Sequence, residues 1–276
     1  MKILITGGAG FIGSNAAKYF CDQGHSVHIY DNFSRSGSRE NVKWLKSDSR
    51  EFEIVEGDIC DSVTLTNCIK TNQYDWILHL AGQVAVTISV IDPKLDFQSN
   101  VIGTFNVLEA IRIHSPNSAL IFASTNKVYG DLPDEMFIEV EGQYTYRNYP
   151  LGLNEEKSLD FHSPYGCSKG AADQYVIDYG RVYGLKTFVL RQSCIFGTRQ
   201  FGVEDQGWVA WFAIAAVTGS PITIYGDGKQ VRDILYIDDL VNCYEKIFVR
   251  STELSSSFFN IGGGLSNKIS LIELIN

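Results

Sequence analysis

No basic run or stripe interrupts this chain, and its net charge is -9. That balance excludes the electrostatic footprint of a nucleic-acid binder, so any anionic ligand must be held by individual arginines. No stretch is long and apolar enough to span a bilayer. Met1-Lys2 leads straight into an apolar strand, so neither a signal peptide nor a membrane partner is expected, and a cytoplasmic location is. Six cysteines (Cys21, Cys60, Cys68, Cys167, Cys194, Cys243) contain no C-x-x-C pair, and five histidines are scattered without metal-ligand spacing. Most of the thiols read as small buried apolar residues in a reducing compartment, and no metal is expected. Internal repeats, low-complexity tracts and charge blocks are missing too.

What remains is an ordinary globular composition, 45% hydrophobic and 20% charged over 276 residues. A chain of this length buries roughly three quarters of its unfolded surface, enough for one large or two small domains. Short apolar runs alternate with amphipathic stretches, which predicts an α/β fold with a doubly wound parallel sheet. Strands are expected at 2–6, 26–30, 53–55, 76–80, 120–123 and 187–190, and helices at 11–23, 61–69, 100–114 and 165–183. The texture changes after Arg191. There the reading gives a loop at 200–207, an aromatic-rich helix at 208–218, short strands at 222–225 and 258–261, and a helix from Asp238 or Asp239 to Val249. The expected division is residues 1–191 for a nucleotide-binding domain, with 231–250 packing back on it, and 192–276 for a smaller α/β substrate domain. The final amphipathic turns at 270–276 lack a C-terminal cap, and the natural chain is expected to continue beyond them.

Lys2–Thr6 is followed by Gly7, Gly10 and Gly13 in G-x-x-G-x-x-G spacing, then by a helix carrying Phe11 and Ile12 in its first turn. This is a Rossmann dinucleotide signature. The first glycine permits the turn, the second lets backbone approach a pyrophosphate, and the third allows close helix–strand packing. The pyrophosphate would then meet the positive end of the helix. Asp31 ends the second strand about twenty residues on, where a carboxylate accepts both ribose hydroxyls and repels a 2′-phosphate. NAD is therefore expected as cofactor, with Asn32, Ser34 and Arg35 nearby; Arg35 alone keeps NADP open. Asp58 and Ile59, and Leu80, Ala81 and Gln83, follow the third and fourth strands, where the rest of the dinucleotide would pass.

Tyr165 and Lys169 are one helical turn apart in Ser163-Pro164-Tyr165-Gly166-Cys167-Ser168-Lys169, so phenol and ammonium share a face. A nearby cation favours phenolate over phenol and makes tyrosine a usable base. Ser124-Thr125-Asn126-Lys127-Val128-Tyr129-Gly130 and Asn100-Val101-Ile102-Gly103-Thr104 complete the pattern. Together these motifs resemble the extended short-chain dehydrogenases/reductases that act on nucleotide sugars. The resemblance covers essentially the whole chain. It implies that Tyr165 deprotonates a sugar hydroxyl as hydride leaves the same carbon, that Lys169 lowers the phenol's pKa and binds the nicotinamide ribose, and that Thr125 holds the reacting oxygen. It adds Asn100, Ser124 and Gln192 to the cofactor positions. Substrate contacts are expected from Thr125, Asn126, Arg232 in Val231-Arg232-Asp233, and Arg199, the two arginines gripping a diphosphate.

Dehydratases of this group carry Asp-Glu directly after the threonine, where this chain has Asn126 and Lys127. The related decarboxylases place glutamate at the Lys127 position. Epimerisation therefore survives. Ser124–Lys127, Asp160–Tyr175, and Arg199–Phe201 with Asp205–Val209 resemble the CDP-paratose 2-epimerase (CDP-tyvelose epimerase) subgroup, which inverts carbon 2 of a dideoxysugar for O-antigen synthesis. Alternatives are another nucleotide-sugar epimerase such as UDP-glucose 4-epimerase, a nucleotide-sugar reductase, and, in a different class, a non-catalytic NAD-binding regulator. Helices 100–114 and 171–183 are apolar around much of their circumference, and the resemblance implies a homodimer or homotetramer built on them.

Overall fold

Ile3, Leu4 and Ile5 are all fully buried, which a strand achieves when both faces of its sheet are covered. They belong to β1 (Lys2–Thr6) in this computed structural model, which describes residues 1–47 and 51–276. β1 is joined by β2 (Ser26–Asp31), β3 (Glu53–Glu56), β4 (Trp76–His79) and β5 (Ala119–Thr125), all parallel. β6 (Phe137–Val140) and β7 (Gln143–Tyr146) form a separate antiparallel hairpin. β8 (Thr187–Gln192) returns to the main sheet, while β9 (Cys194–Phe196) and β10 (Val231–Tyr236) leave it. β11 (Ser257–Ile261) rejoins it beside β8, and β12 (Lys268–Ser270) pairs with β10 in a second, three-stranded sheet.

The seven strands lie in the order β11-β8-β5-β4-β1-β2-β3. Chain direction across the sheet reverses between β1 and β4, and their carboxyl ends open the crevice where doubly wound sheets bind ligands. One face is covered by α1 (Phe11–Asp22), α2 (Ser38–Ser47) and, after the other helices, α9. The opposite face takes α3 (Ser62–Asn72), the short α4 (Val86–Ile91) and α5 (Pro93–Phe97), α6 (Gly103–His114) and α7 (Ser163–Tyr183). α8 is Trp208–Thr218, α9 (Ile237–Arg250) brings Tyr244 and Phe248 back onto the sheet, and α10 is Leu271–Ile275. The alternating register of β1 decides the sides: Ile3 and Ile5 join the core with Phe20, Phe188 and Phe248, and Leu4 joins the one with Ile69, Phe122 and Val176. Phe248 stacks on Phe20 at 4.9 Å and meets Trp76 at 4.2 Å between ring centroids. Each such side chain contributes roughly 1.5–3 kcal/mol on burial. No helix among the described residues is long and apolar enough to cross a membrane.

The six strands and four helices expected in the first part of the chain all form, with ends shifted by a few residues. Neither Asp238 nor Asp239 caps a helix, because α9 starts at Ile237 and takes both into its first turn; of the six thiols only Cys21 and Cys68 are buried; and three further features differ from expectation. Residues 222–225 form no strand; β-branched residues favour a ladder only beside a free partner, and the Tyr225 carbonyl instead accepts the Gln230 side-chain amide at 2.9 Å. The sheet crosses the division expected at residue 191, because β11 supplies its seventh strand. Asn100 precedes α6 rather than starting it, in a wide π turn over Gln98–Ile102.

Candidate active site

The turn after β1 is closed by contacts that only glycine tolerates. Gly7 has φ +68, and a Cβ there would lie 2.8 Å from the Ala81 nitrogen. A Cβ on Gly13 would lie 2.3 Å from the Gly7 carbonyl oxygen and 2.6 Å from Gly8 Cα. Gly10, the N-cap of α1, faces open space apart from the Gly7 oxygen at 3.2 Å. The cradle is thus packed below and empty above, which fits a pyrophosphate. Gly13→Ala is expected to force the turn open and abolish NAD binding, measured by calorimetry on protein whose circular dichroism matches wild type.

Above the turn lies a cavity of about 920 Å³ lined by Gly7, Gly10, Phe11, Ile12, Gly13, Asp31, Asn32, Ser34, Arg35, Asp58, Ile59, Leu80, Ala81, Gln83, Ser124, Tyr165, Lys169 and Gln192. The separated segments expected to hold a dinucleotide therefore line one space. Asp31 accepts from Ala9 N–H at 3.0 Å and Phe33 N–H at 2.8 Å, which fixes its carboxylate at the rim. Burial pushes its pKa up against those two bonds. Asp58 accepts from Cys60 N–H at 2.8 Å and Asn32 Nδ2 at 2.9 Å; these bonds outweigh burial and hold the carboxyl below its usual value.

Asn100 does not line the cavity. Its Oδ1 accepts the Gln83 N–H at 3.0 Å, and its Nδ2 donates to Ser168 Oγ at 3.0 Å and Asp96 Oδ1 at 3.2 Å, so it braces the loop after β4 from behind. A second brace was invisible in the sequence. His79 is fully buried between Thr6 Oγ1 at 2.7 Å and Thr104 Oγ1 at 3.0 Å, and Thr104 donates to the Asn100 carbonyl at 2.6 Å. Thr104 has spent its proton there, so His79 donates through Nε2 and accepts at Nδ1. Burial and the Lys169 charge hold its pKa down to about 3, which keeps the ring neutral.

Tyr165, Lys169 and Thr125 come together as expected, but their electrostatics differ. Burial pushes the Tyr165 phenol up to about 12, a hydrogen bond from Thr125 pulls it down, and the Asp96 charge raises it. Lys169 donates to the Ala123 carbonyl at 2.6 Å and lies 4.1 Å from the Phe122 ring centroid, and burial draws its pKa down to about 8. In this state Thr125, not Lys169, favours the phenolate. Ser124 faces the cavity but donates its hydroxyl to Asp173 Oδ2 at 2.6 Å. Asp173 in turn holds Arg191 through two bonds of 3.0 Å, and Arg191 reaches Tyr129 OH at 3.0 Å.

The two arginines expected at a diphosphate lie apart. Arg199 lines the cofactor cavity beside Arg35, donating to Asn41 Oδ1 at 3.1 Å, with its guanidinium 5.3 Å from the Trp44 ring and 5.5 Å from Phe201. The reason is the loop it rides on: Thr198 bonds Asn15 on α1, and the Phe201 ring fills the space above Gly37. Arg199→Ala is expected to weaken NAD binding roughly tenfold, the scale of one charge-assisted hydrogen bond, without changing affinity for a nucleoside diphosphate. Titrating each ligand calorimetrically checks both halves. Arg232, on β10, lies outside the cavity together with Asn126. No spacing rule pointed to Asn41, Asp96 or Asp173, because each acts through a contact that the topology makes.

The NAD dependent epimerase/dehydratase family matches residues 3–262. The chain is 48% identical to CDP-paratose 2-epimerase of Salmonella typhi, an alignment spanning 99% of this chain and 82% of that protein. It is 32% identical to dTDP-glucose 4,6-dehydratase of Salmonella typhimurium, over 95% of this chain and 72% of that one. Among solved structures, UDP-glucose 4-epimerase of Thermus thermophilus in complex with NAD superposes with a TM-score of 0.81 at 31% identity, covering 100% of this chain and 81% of that one. With this fold, this glycine cradle and this tyrosine–lysine pair, the chain belongs to the NAD dependent epimerase/dehydratase family.

Proposed function

We propose that the protein inverts carbon 2 of a CDP-linked 3,6-dideoxyhexose, converting CDP-paratose to CDP-tyvelose through a 2-keto sugar. The carrying observation is an intact Thr125–Tyr165–Lys169 group followed by Asn126 and Lys127, which leaves the site without the carboxylic acid that loss of water requires. The similarity to CDP-paratose 2-epimerase supports the choice of sugar.

Bound NAD supplies the acceptor, and later the donor, of the hydride. Tyr165 takes the hydroxyl proton and returns it at the end of the cycle, so no net acid or base is consumed. Thr125 stabilises the oxygen as it becomes a carbonyl. Lys169, anchored on Ala123 and charged below about pH 8, places a cation beside the crevice. The Asn100 and His79 braces hold the loop after β4 in place while the keto sugar turns over to present its other face.

The same reading puts the protein in the cytoplasm, in O-antigen sugar synthesis, as a homodimer or homotetramer. Phe105 and Ile113 on α6, and Tyr175, Val182 and Tyr183 on α7, are exposed on the two helices that would pair. Incubation with CDP-paratose and separately with UDP-glucose, read by NMR, tests the chemistry. Inversion at C2 of the first sugar supports it; inversion at C4 of the second alone would overturn it.

A further inference from the structure

Lys127 occupies the place from which a dehydratase would present its carboxylic acid, and the chemistry of a 2-epimerase gives a reason for a cation there. In a nucleotide sugar the diphosphate is attached to C1. A 4-epimerase reacts across the ring from that group. A 2-epimerase reacts at the adjacent carbon, so the dianion must lie close to the catalytic tyrosine. An uncompensated dianion there would oppose both deprotonation of the hydroxyl and the phenolate itself.

The structure puts an unpaired cation in that position. Lys127 is the second residue of the tight 3-10 turn Asn126–Tyr129, and its backbone N–H donates to Thr125 Oγ1 at 3.2 Å. Its carbonyl oxygen lies 3.5 Å from where a Cβ on Gly166 would stand, so the turn packs beside Tyr165 at the start of α7. The side chain has solvent access, yet crowding by protein, with the Arg232 charge next, lowers its pKa. Lys127 and Arg232 both act on the half-buried Cys194 thiol, which sits on β9 two residues along the register from Arg232. Among the described residues, neither cation forms an ion pair. Asp131, the carboxylate nearest in effect to Lys127, is engaged by His162 at 3.2 Å. Lys127 lies within the field of Arg232, and two like charges without a counter-ion form a receptor for an anion.

We propose that Lys127 binds the phosphate directly attached to the sugar and, with Arg232, draws the diphosphate toward Thr125 and Tyr165 so that C2 rather than C4 meets the reacting groups. This deepens the function proposed above and rests on it. Lys127 is then a specificity residue: it touches substrate but takes no part in proton transfer.

CDP and CMP are the probes, titrated into NAD-bound enzyme. Lys127→Gln is expected to weaken CDP by about ten- to a hundredfold, the worth of a hydrogen bond to a charged group, while CMP changes little. Lys127→Arg should retain most of the preference for CDP. In turnover, Lys127→Gln should raise KM for CDP-paratose far more than it lowers kcat. Unchanged CDP affinity, or equal loss for CDP and CMP, overturns the assignment. Wild-type inversion of CDP-paratose at C2 with an unaltered Lys127→Gln variant defeats this inference alone. Wild-type inversion at C4 of UDP-glucose only defeats the proposed function as well.

Discussion

Tyr165→Phe lowers kcat for C2 inversion by about two to four orders of magnitude, the usual worth of a positioned acid–base group. The fold and NAD affinity stay near wild type. The ring of Tyr165 is buried and its backbone N–H donates to Ser89 Oγ at 3.1 Å, so phenylalanine keeps the packing and the helix start and removes only the reacting oxygen. NMR of the sugar product and calorimetry of NAD measure the two halves. A variant that retains more than about a tenth of wild-type kcat would remove Tyr165 from proton transfer. Thr125→Val should show a smaller loss of the same kind, since it deletes the bond that favours the phenolate.

Asp173→Asn costs the folded protein about 3–5 kcal/mol, because it leaves the Arg191 guanidinium charged and uncompensated inside the molecule. The side chains of Arg191 and Asp173 are only 2% and 0% exposed, and the pair is bidentate. Urea denaturation at constant m-value measures the cost. A loss below about 1 kcal/mol, the range of an exposed pair, would show that water or another group reaches Arg191. The double variant Asp173→Leu/Arg191→Met should recover much of the stability, since an apolar pair of similar volume leaves no buried charge. It should not recover full activity, because Ser124 loses its acceptor at the cavity wall.

What the sequence showed and what it hid divide along one physical line. The glycines at 7, 10 and 13, and the tyrosine and lysine at 165 and 169, stand within a turn of one another, so spacing picks them out even though Ala81, Thr125 and Ala123, which they meet, come from elsewhere in the chain. The same holds for the capped and periodic helices. Asp173 and Arg191 meet only because α7 packs against β8, and His79 joins Thr6 to Thr104 only because β4 lies beside β1. Spacing carries no trace of such meetings. Arg199 was legible as a phosphate-type cation but not as a partner of Asn41, which stands 158 positions away in the chain. Residues 222–225 had the composition of a strand and lacked a neighbour. Lys127 was read only as the absence of an acid, since the Arg232 charge that acts on it depends on where β10 comes to lie.

The late return of β11 to the main sheet also bears on how the protein is made. As the ribosome extends the polypeptide, β8 emerges with one edge bare, and α9 has yet to cover Phe20 and Trp76. An unpaired edge flanking an uncovered aromatic cluster is a site for wrong association until those distant segments arrive. Nascent chains stalled before residue 237 should therefore engage chaperones, and release past residue 261 should free them.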